Sequence, residues 1–332
     1  MTSPLPPYPP VLADTGAILR REAIEFGLTP EEVQRMLDRG IWVRIRRGAY
    51  APRDSWTALD GVQRHRVVSA AVMRALGGPA VLGHASAAVV HGLPVWGVDL
   101  SDVHVVRGAH GHGSRREAGV MHHAAQLPDD HVVEVDGLLV TSPARTVADL
   151  CRELPFEQAV VVADACLHQG CASEDEIQEI LLWQDDWPGS RGAARSLSFA
   201  DKRAESVLES RGRVRMRQAG LPEPELQVDV LDEDGAFVAR ADFLIRAYST
   251  IVEADGRVKY LGETAGRPLE EVIWAEKRRE DALRALGYEV VRYTWSDLAE
   301  APAAFRRRIL AAFTRASGRP APTGSTRQAL RF

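Results

Sequence analysis

Residues 226–295 alternate strand-length apolar runs with turn formers and one charged segment, a pattern that few folds satisfy. Residues 226–231 read as a strand, and Asp232-Glu-Asp-Gly235 has the composition of a hairpin turn. Residues 237–245 form the return strand, and residues 250–254 a third. A charged helix over about 269–286 leads to a fourth strand at 288–294. With a helix predicted over 206–219 and ended by Gly220, the order is αβββαβ, a small α/β core.

This core carries three acids at telling positions. Asp242 lies in the second strand, and Glu253 and Asp255 lie at the end of the third. Strand residues two apart share a face, so Glu253 and Asp255 are neighbours, and hairpin pairing can bring Asp242 beside them. Anions about 4 Å apart repel by about 1 kcal/mol per pair in water and by several when partly dry. Such a cluster shifts its pKa values or binds a cation, and oxygen donors suit Mg²⁺ or Mn²⁺, the usual metals of phosphodiester cleavage. The competing reading is a set of solvated acids, with Asp255-Gly256 as plain turn chemistry. Glu253 fits that reading less well, since Ile251-Val252 before it looks buried and an unpaired buried acid is costly.

At 332 residues the chain is long enough for two or three domains with real cores. The proline-rich residues 1–10 and the tail 316–332 lack hydrophobic periodicity and are expected to be disordered. Turn formers in Asp185-Asp-Trp-Pro-Gly-Ser-Arg-Gly192 place a linker at 186–199, between a mixed α+β middle domain at 61–185 and the αβββαβ domain at 200–315. Residues 11–58 are expected to form a small domain of their own. One helix ends at Gly27, and Thr29-Pro30-Glu31-Glu32 starts another with a cap, a proline in the first turn and acids against the helix dipole. Gly40 stops that helix, and residues 41–50 alternate as a hairpin turning at Arg47-Gly48. Helix, helix and basic hairpin is the outline of a winged helix-turn-helix.

In the hairpin, Arg44 and Arg46 alternate with Val43 and Ile45 and so are expected to share the outward face, with Arg47 at the turn. Together with Arg35 and Arg39 on the preceding helix they form the candidate DNA-contacting set; a solvated edge strand is the alternative. Glu31 and Glu32 sit where base-reading residues would stand, and acids there repel phosphate unless they accept from cytosine.

The net charge of −5 is unevenly spread: residues 61–200 carry 10 basic and 17 acidic groups, while both ends are balanced or slightly basic. Nucleic-acid binding is therefore expected at the ends and not in the middle. Only Lys202, Lys259 and Lys277 are lysines among 41 basic residues, which marks each for a role needing a compact charge. Cys151 and Cys166 lie in apolar helical patterns and read as buried thiols. No apolar run approaches the ~18 residues of a membrane helix, and the start lacks the regions of a signal peptide, so a cytoplasmic protein is expected. All ten histidines fall between His65 and His168. His104, His110, His112, His122 and His123 suggest zinc, but the cysteines are not placed to join them. His84 and His91 read as capping and packing a short helix. Arg145 and Asp149, four apart, read as an ion pair or a helix anchor.

The elements from Asp242 through Glu253-Ala-Asp-Gly256 to Leu286-Gly-Tyr-Glu-Val-Val-Arg-Tyr-Thr-Trp295 resemble the very-short-patch-repair-like branch of the PD-(D/E)XK nuclease superfamily, over roughly residues 200–312. The resemblance implies a restriction-endonuclease-like fold, with Asp242 and Glu253 as Mg²⁺ ligands and Glu209 as the acid beside the metal; Asp255, neighbour of Glu253 in the carboxylate cluster, completes the candidate ligand set. The superfamily's lysine belongs two residues after the strand glutamate, where this chain has Asp255. Lys277 or Lys259 is then the candidate to assist water activation or stabilise the leaving charge. Gly27-Leu-Thr-Pro-Glu-Glu-Val and Leu37-Asp-Arg-Gly-Ile-Trp-Val-Arg-Ile-Arg-Arg-Gly-Ala-Tyr50 resemble the winged helix of AbiEi-type antitoxins, from type IV toxin–antitoxin pairs. His84-Ala-Ser-Ala-Ala-Val-Val-His-Gly92 and Thr141-Ser-Pro-Ala-Arg-Thr-Val-Ala-Asp149 extend that likeness to about residue 185. It implies operator DNA and a nucleotidyltransferase toxin as partners. The expectation is an α+β multidomain, DNA-associated protein with a metal-dependent endonuclease-like end, active in phage defence or DNA processing. The alternative is a non-catalytic antitoxin and autoregulator that keeps the nuclease fold as a scaffold.

Overall fold

The computed structural model describes residues 15–108, 113–256 and 269–329. The chain divides into two compact units, Met1–Val162 with Gly170–Ser198, and Ala163–Gln169 with Phe199–Phe332.

The first unit opens with β1 (Ile18–Leu19), α1 (Arg20–Glu25), α2 (Pro30–Asp38), β2 (Trp42–Arg46), β3 (Ala49–Pro52) and α3 (Arg53–Ala58). The sheet runs β1-β3-β2 and is antiparallel throughout, a winged-helix-like arrangement. At α2 the Thr29 hydroxyl accepts from the Glu32 N–H, and the Glu32 carboxylate accepts from the Thr29 N–H at 2.8 Å. Glu32 is thus spent on capping the helix it begins. Ile18, Leu28, Val33, Met36, Trp42 and Tyr50 form the core on one face of the sheet.

The other face of that sheet is covered by α4 (Gly61–Leu76), whose Val67 and Ala71 pack on Leu19, Ile45 and Ala49. The same helix presents Val68, Val72 and Leu76 to a second core. The small domain expected at 11–58 is therefore joined with residues 61–162 in one compact unit. That second core belongs to a six-stranded mixed sheet, ordered β6-β7-β5-β4-β9-β8. Its strands are β4 (Val81–Leu82), β5 (Val103–Arg107), β6 (Arg115–Glu117), β7 (Val120–Ala124), β8 (Val132–Val135) and β9 (Leu138–Thr141), and α5 (His84–Val90) comes directly after β4. Next come α6 (Pro143–Glu153), α7 (Phe156–Gln169), whose residues from Ala163 on belong to the second unit, α8 (Glu174–Trp183) and α9 (Ser190–Leu197). Arg145 and Asp149 form the ion pair their spacing suggests, at 2.7 Å and almost wholly buried, and the Gln184 amide donates to Asp149 at 2.8 Å. The linker expected at 186–199 contains α9 instead, because Ala193, Ser196 and Leu197 make a buried stripe that outweighs the turn formers before it.

The second unit comprises α10 (Val207–Gln218), β10 (Glu225–Leu231), β11 (Phe237–Ile245), β12 (Thr250–Ala254), α11 (Leu269–Ala285), β13 (Glu289–Tyr293), α12 (Trp295–Ala299), α13 (Pro302–Ser317) and β14 (Ser325–Gln328). Its sheet runs β13-β12-β11-β10-β14; β13 is parallel to β12, and the other neighbours are antiparallel. One apolar cluster gathers Leu208, Met216, Leu226, Phe243, Val252, Tyr293 and Phe305, and another Val228, Ala241, Leu244, Ile251, Leu283 and Val290. Leu226 and Val228 would share a face of a regular strand, yet they pack in different clusters, as do their partners Phe243 and Ala241. The residue between them, Gln227, has φ +51°, a strained backbone for a residue with a Cβ. The alternation thus breaks at Gln227 and, across from it, at Asp242. The tail expected to be disordered from 316 instead supplies β14. Polar Ser-Thr-Arg-Gln residues pair there because β10 would otherwise leave a row of backbone groups unpartnered.

Candidate functional site

β11 and β12 bring Asp242 and Glu253 to one end of the sheet, where the Ala254 N–H donates to Asp242 Oδ2 at 2.8 Å. Glu209, in the first turn of α10, completes a group of three acids. Its carboxylate accepts from the Glu205 N–H at 3.0 Å, the Ser206 hydroxyl at 2.7 Å and the Gln227 amide at 2.9 Å. Burial pushes Glu209 above the usual carboxylate range against those three donors. Asp242 is pushed up to about 7, by burial first and then by the charges of Glu209 and Glu253, with the Ala254 N–H and Arg279 opposing. Tyr293, fully buried beside them, donates its hydroxyl to the Leu208 carbonyl at 3.1 Å.

Arginines answer this negative charge. Arg279 on α11 grips Glu253 with both terminal nitrogens, each at 2.8 Å, and reaches Glu276 at 2.6 Å. Arg292 on β13 approaches Glu253 at 3.4 Å, bonds Glu280 at 3.1 Å and also pairs with Glu276. Burial alone would lower the Arg279 pKa, but its bonds to Glu276 and Glu253 outweigh that and raise it. Asp242, Glu253, Ala254, Asp255, Gly256, Glu276, Arg279 and Arg292 line a cleft of about 190 Å³.

Asp255 lies just past the end of β12, lines the same cleft, and donates its N–H to the Tyr293 carbonyl at 2.7 Å. Lys277 is exposed, stands 5.5 Å over the Trp274 ring, and is not among the residues lining the cleft. Lys259 falls outside the described residues. Arg279, Arg292 and Gln227 join the group without having been singled out from sequence. The signal for Arg279 was its place on the charged helix that comes after the acids; Gln227 carried none, since a backbone with positive φ is invisible in a strand-like run. Carboxylate oxygens are the donor type a divalent cation takes, but Arg279 occupies both Glu253 oxygens, and these acids are not among the described groups whose ligand atoms lie close enough to share an ion.

On the winged element, Arg35, Arg39, Arg44 and Arg47 are exposed. Arg46 is not placed as the alternation predicted. A bulge sets Arg44 opposite Tyr50 but Arg46 opposite Ala49, so Arg46 leaves Arg44's face. There it is half-buried, donates to the Ala118 carbonyl at 3.4 Å, and has its pKa lowered by burial.

Residues 8–53 match the family model described as a transcriptional regulator, AbiEi antitoxin. Among curated proteins the chain is 30% identical over 230 residues to uncharacterized proteins from two strains of Mycobacterium tuberculosis, covering 68% of this chain and 80% of each relative. No helix among the described residues is long and apolar enough to cross a membrane. The chain therefore belongs to the family of these mycobacterial proteins, and its first segment is an AbiEi antitoxin-like domain.

Proposed function

We propose that the chain is a DNA-associated regulator of the antitoxin type whose second unit is a PD-(D/E)XK-like nuclease core that hydrolyses phosphodiesters with Mg²⁺ or Mn²⁺. The observation that carries the enzymatic half is the convergence of Glu209, Asp242 and Glu253 at one end of a sheet whose meander and parallel fourth strand suit that superfamily. Asp242 and Glu253 would hold the ion, with Asp255 at the same cleft. When bound, such an ion polarises the phosphoryl group and acidifies a water. Arg279 and Arg292 put guanidinium groups in the cleft, so they take the charge-stabilising part that the nuclease resemblance left to Lys277 or Lys259. The four exposed arginines of the winged element would contact DNA phosphates, and the antitoxin likeness points to a nucleotidyltransferase toxin as protein partner.

A second reading, a non-catalytic antitoxin and autoregulator, is favoured by one contact: Arg279 occupies both oxygens of Glu253. A plasmid-nicking assay with the full chain and Mg²⁺ or Mn²⁺ separates the two. Cutting that disappears in Glu253→Ala and Asp242→Ala supports the nuclease. A folded protein that binds DNA through the winged element but never cuts DNA or RNA leaves the regulator alone.

A further inference from the structure

Three histidines of the first unit meet around one carboxylate. His84 opens α5, His104 lies on β5, His123 on the neighbouring β7, and Glu153 closes α6. The His84 and His123 rings stack with centroids 3.7 Å apart. Both turn Nδ1 towards Glu153, His84 at 2.9 Å from Oε2 and His123 at 3.8 Å from Oε1. One ligand atom from each of His84, His123 and Glu153 lies within 4.8 Å of the others. Donors held about 2.0–2.1 Å from a tetrahedral zinc stand roughly 3.3 Å apart, the same scale.

The plainer account is a histidine–carboxylate contact packed in a core. Three observations go further. His84 is 4% exposed, and the carboxylate its Nδ1 meets is that of Glu153, at 2.9 Å. Its backbone has φ +52°, strained for a residue with a Cβ, as at positions held for function. His123 is also fixed from behind: its Nε2 lies 2.9 Å from His104 Nδ1, the kind of outer contact that orients a ligating imidazole and leaves its other nitrogen free to bind.

We propose that His84, His123 and Glu153 form a zinc-type divalent metal site oriented by His104. The triad borders a cavity of about 650 Å³ that Arg145, Arg152 and Trp187 also line. Three protein ligands beside open space is the pattern of an accessible zinc, with a position left for water or a ligand. The histidine set suggested by sequence is thereby redrawn. His122 projects from the opposite face of β7, His104 stands behind the ligands, and His110 and His112 lie outside the described residues.

The test uses the full chain, stripped with a chelator and titrated with Zn²⁺ by calorimetry and with Co²⁺ by visible absorption. Expected are one micromolar or tighter Zn²⁺ equivalent and a Co²⁺ d–d band that Zn²⁺ displaces. Glu153→Gln and His123→Ala should each weaken Zn²⁺ by at least about tenfold and abolish the band. Asp242→Asn with Glu253→Gln should leave both unchanged, which keeps this site separate from the carboxylate cleft. The Glu153 side chain is 41% exposed, so Glu153→Gln should fold and decides the matter even where His123→Ala does not. No Zn²⁺ binding below millimolar, or affinity unmoved by Glu153→Gln, overturns the proposal.

Discussion

Replacing Arg279 by alanine probes the charge balance of the carboxylate cleft. Glu253 is 5% exposed, and its two oxygens take both Arg279 donors at 2.8 Å. Removing one partner of a buried ion pair costs about 3–5 kcal/mol, because the other charge stays buried. Two features reduce the loss here: the Arg279 side chain is 28% exposed, and Arg292 remains 3.4 Å from Glu253. The expected destabilisation is about 2–3 kcal/mol, somewhat below the fully buried case. In calorimetry of the full chain at neutral pH, the transition of the second unit should fall by about 5–10 °C. Adding Glu253→Gln to Arg279→Ala removes the stranded charge and should recover about 1–2 kcal/mol. Millimolar Mg²⁺ should raise the melting temperature of Arg279→Ala more than that of the parent, since a cation can replace the lost guanidinium. An unchanged melting temperature, or a double variant that loses the sum of both singles, refutes this charge balance.

Asp242 titrates at about 7 when folded against 3.8 when unperturbed, so between these values the folded chain holds a proton that the unfolded chain has released. Stability from this group is full below about 3.8 and is lost progressively as pH rises from there to about 7, by up to about 3–4 kcal/mol. Asp242→Asn should flatten that decline in urea midpoints compared at about pH 5 and about pH 8; a steeper decline would contradict it. A Cβ on Gly212 would lie 2.0 Å from the Tyr293 hydroxyl, so Gly212→Ala should cost about 2–4 kcal/mol in urea unfolding. An unshifted midpoint would mean that α10 slides freely. Alanine at Arg35, Arg39, Arg44 and Arg47 should each lower the salt slope of DNA binding by up to about one unit, while Arg46→Ala leaves it unchanged. Equal slopes across all five variants would discard the winged element as the contact.

The elements of the second unit were legible because hairpin turns, apolar runs and caps are local signals: Asp232-Glu-Asp-Gly235 turns the chain, and Ser206 caps α10. Hairpin pairing put Asp242 across from Glu253, while the break in alternation at Asp242 left no sign in the sequence. What escaped notice depends on distant neighbours. The bulge that turns Arg46 away from Arg44 leaves no mark in an alternating run. β14 forms only because β10 offers it an edge, and α9 only because its short stripe finds α6 and α8. Arg279 was hidden among the charges of α11, where one fork gripping a buried acid reads the same as the solvated ones beside it. The histidines met across β5, β7 and the ends of two helices, a gathering that no spacing along the chain encodes.

Helix α4 serves two cores at once, Val67 and Ala71 toward the winged element and Val68, Val72 and Leu76 toward the six-stranded sheet. The winged element is thereby part of its own mount. A fragment ending before residue 61 would expose Leu19 and Ala49 to water, so the winged element is not a transplantable module. A load applied to the winged element is thus carried by the first unit as one compact body.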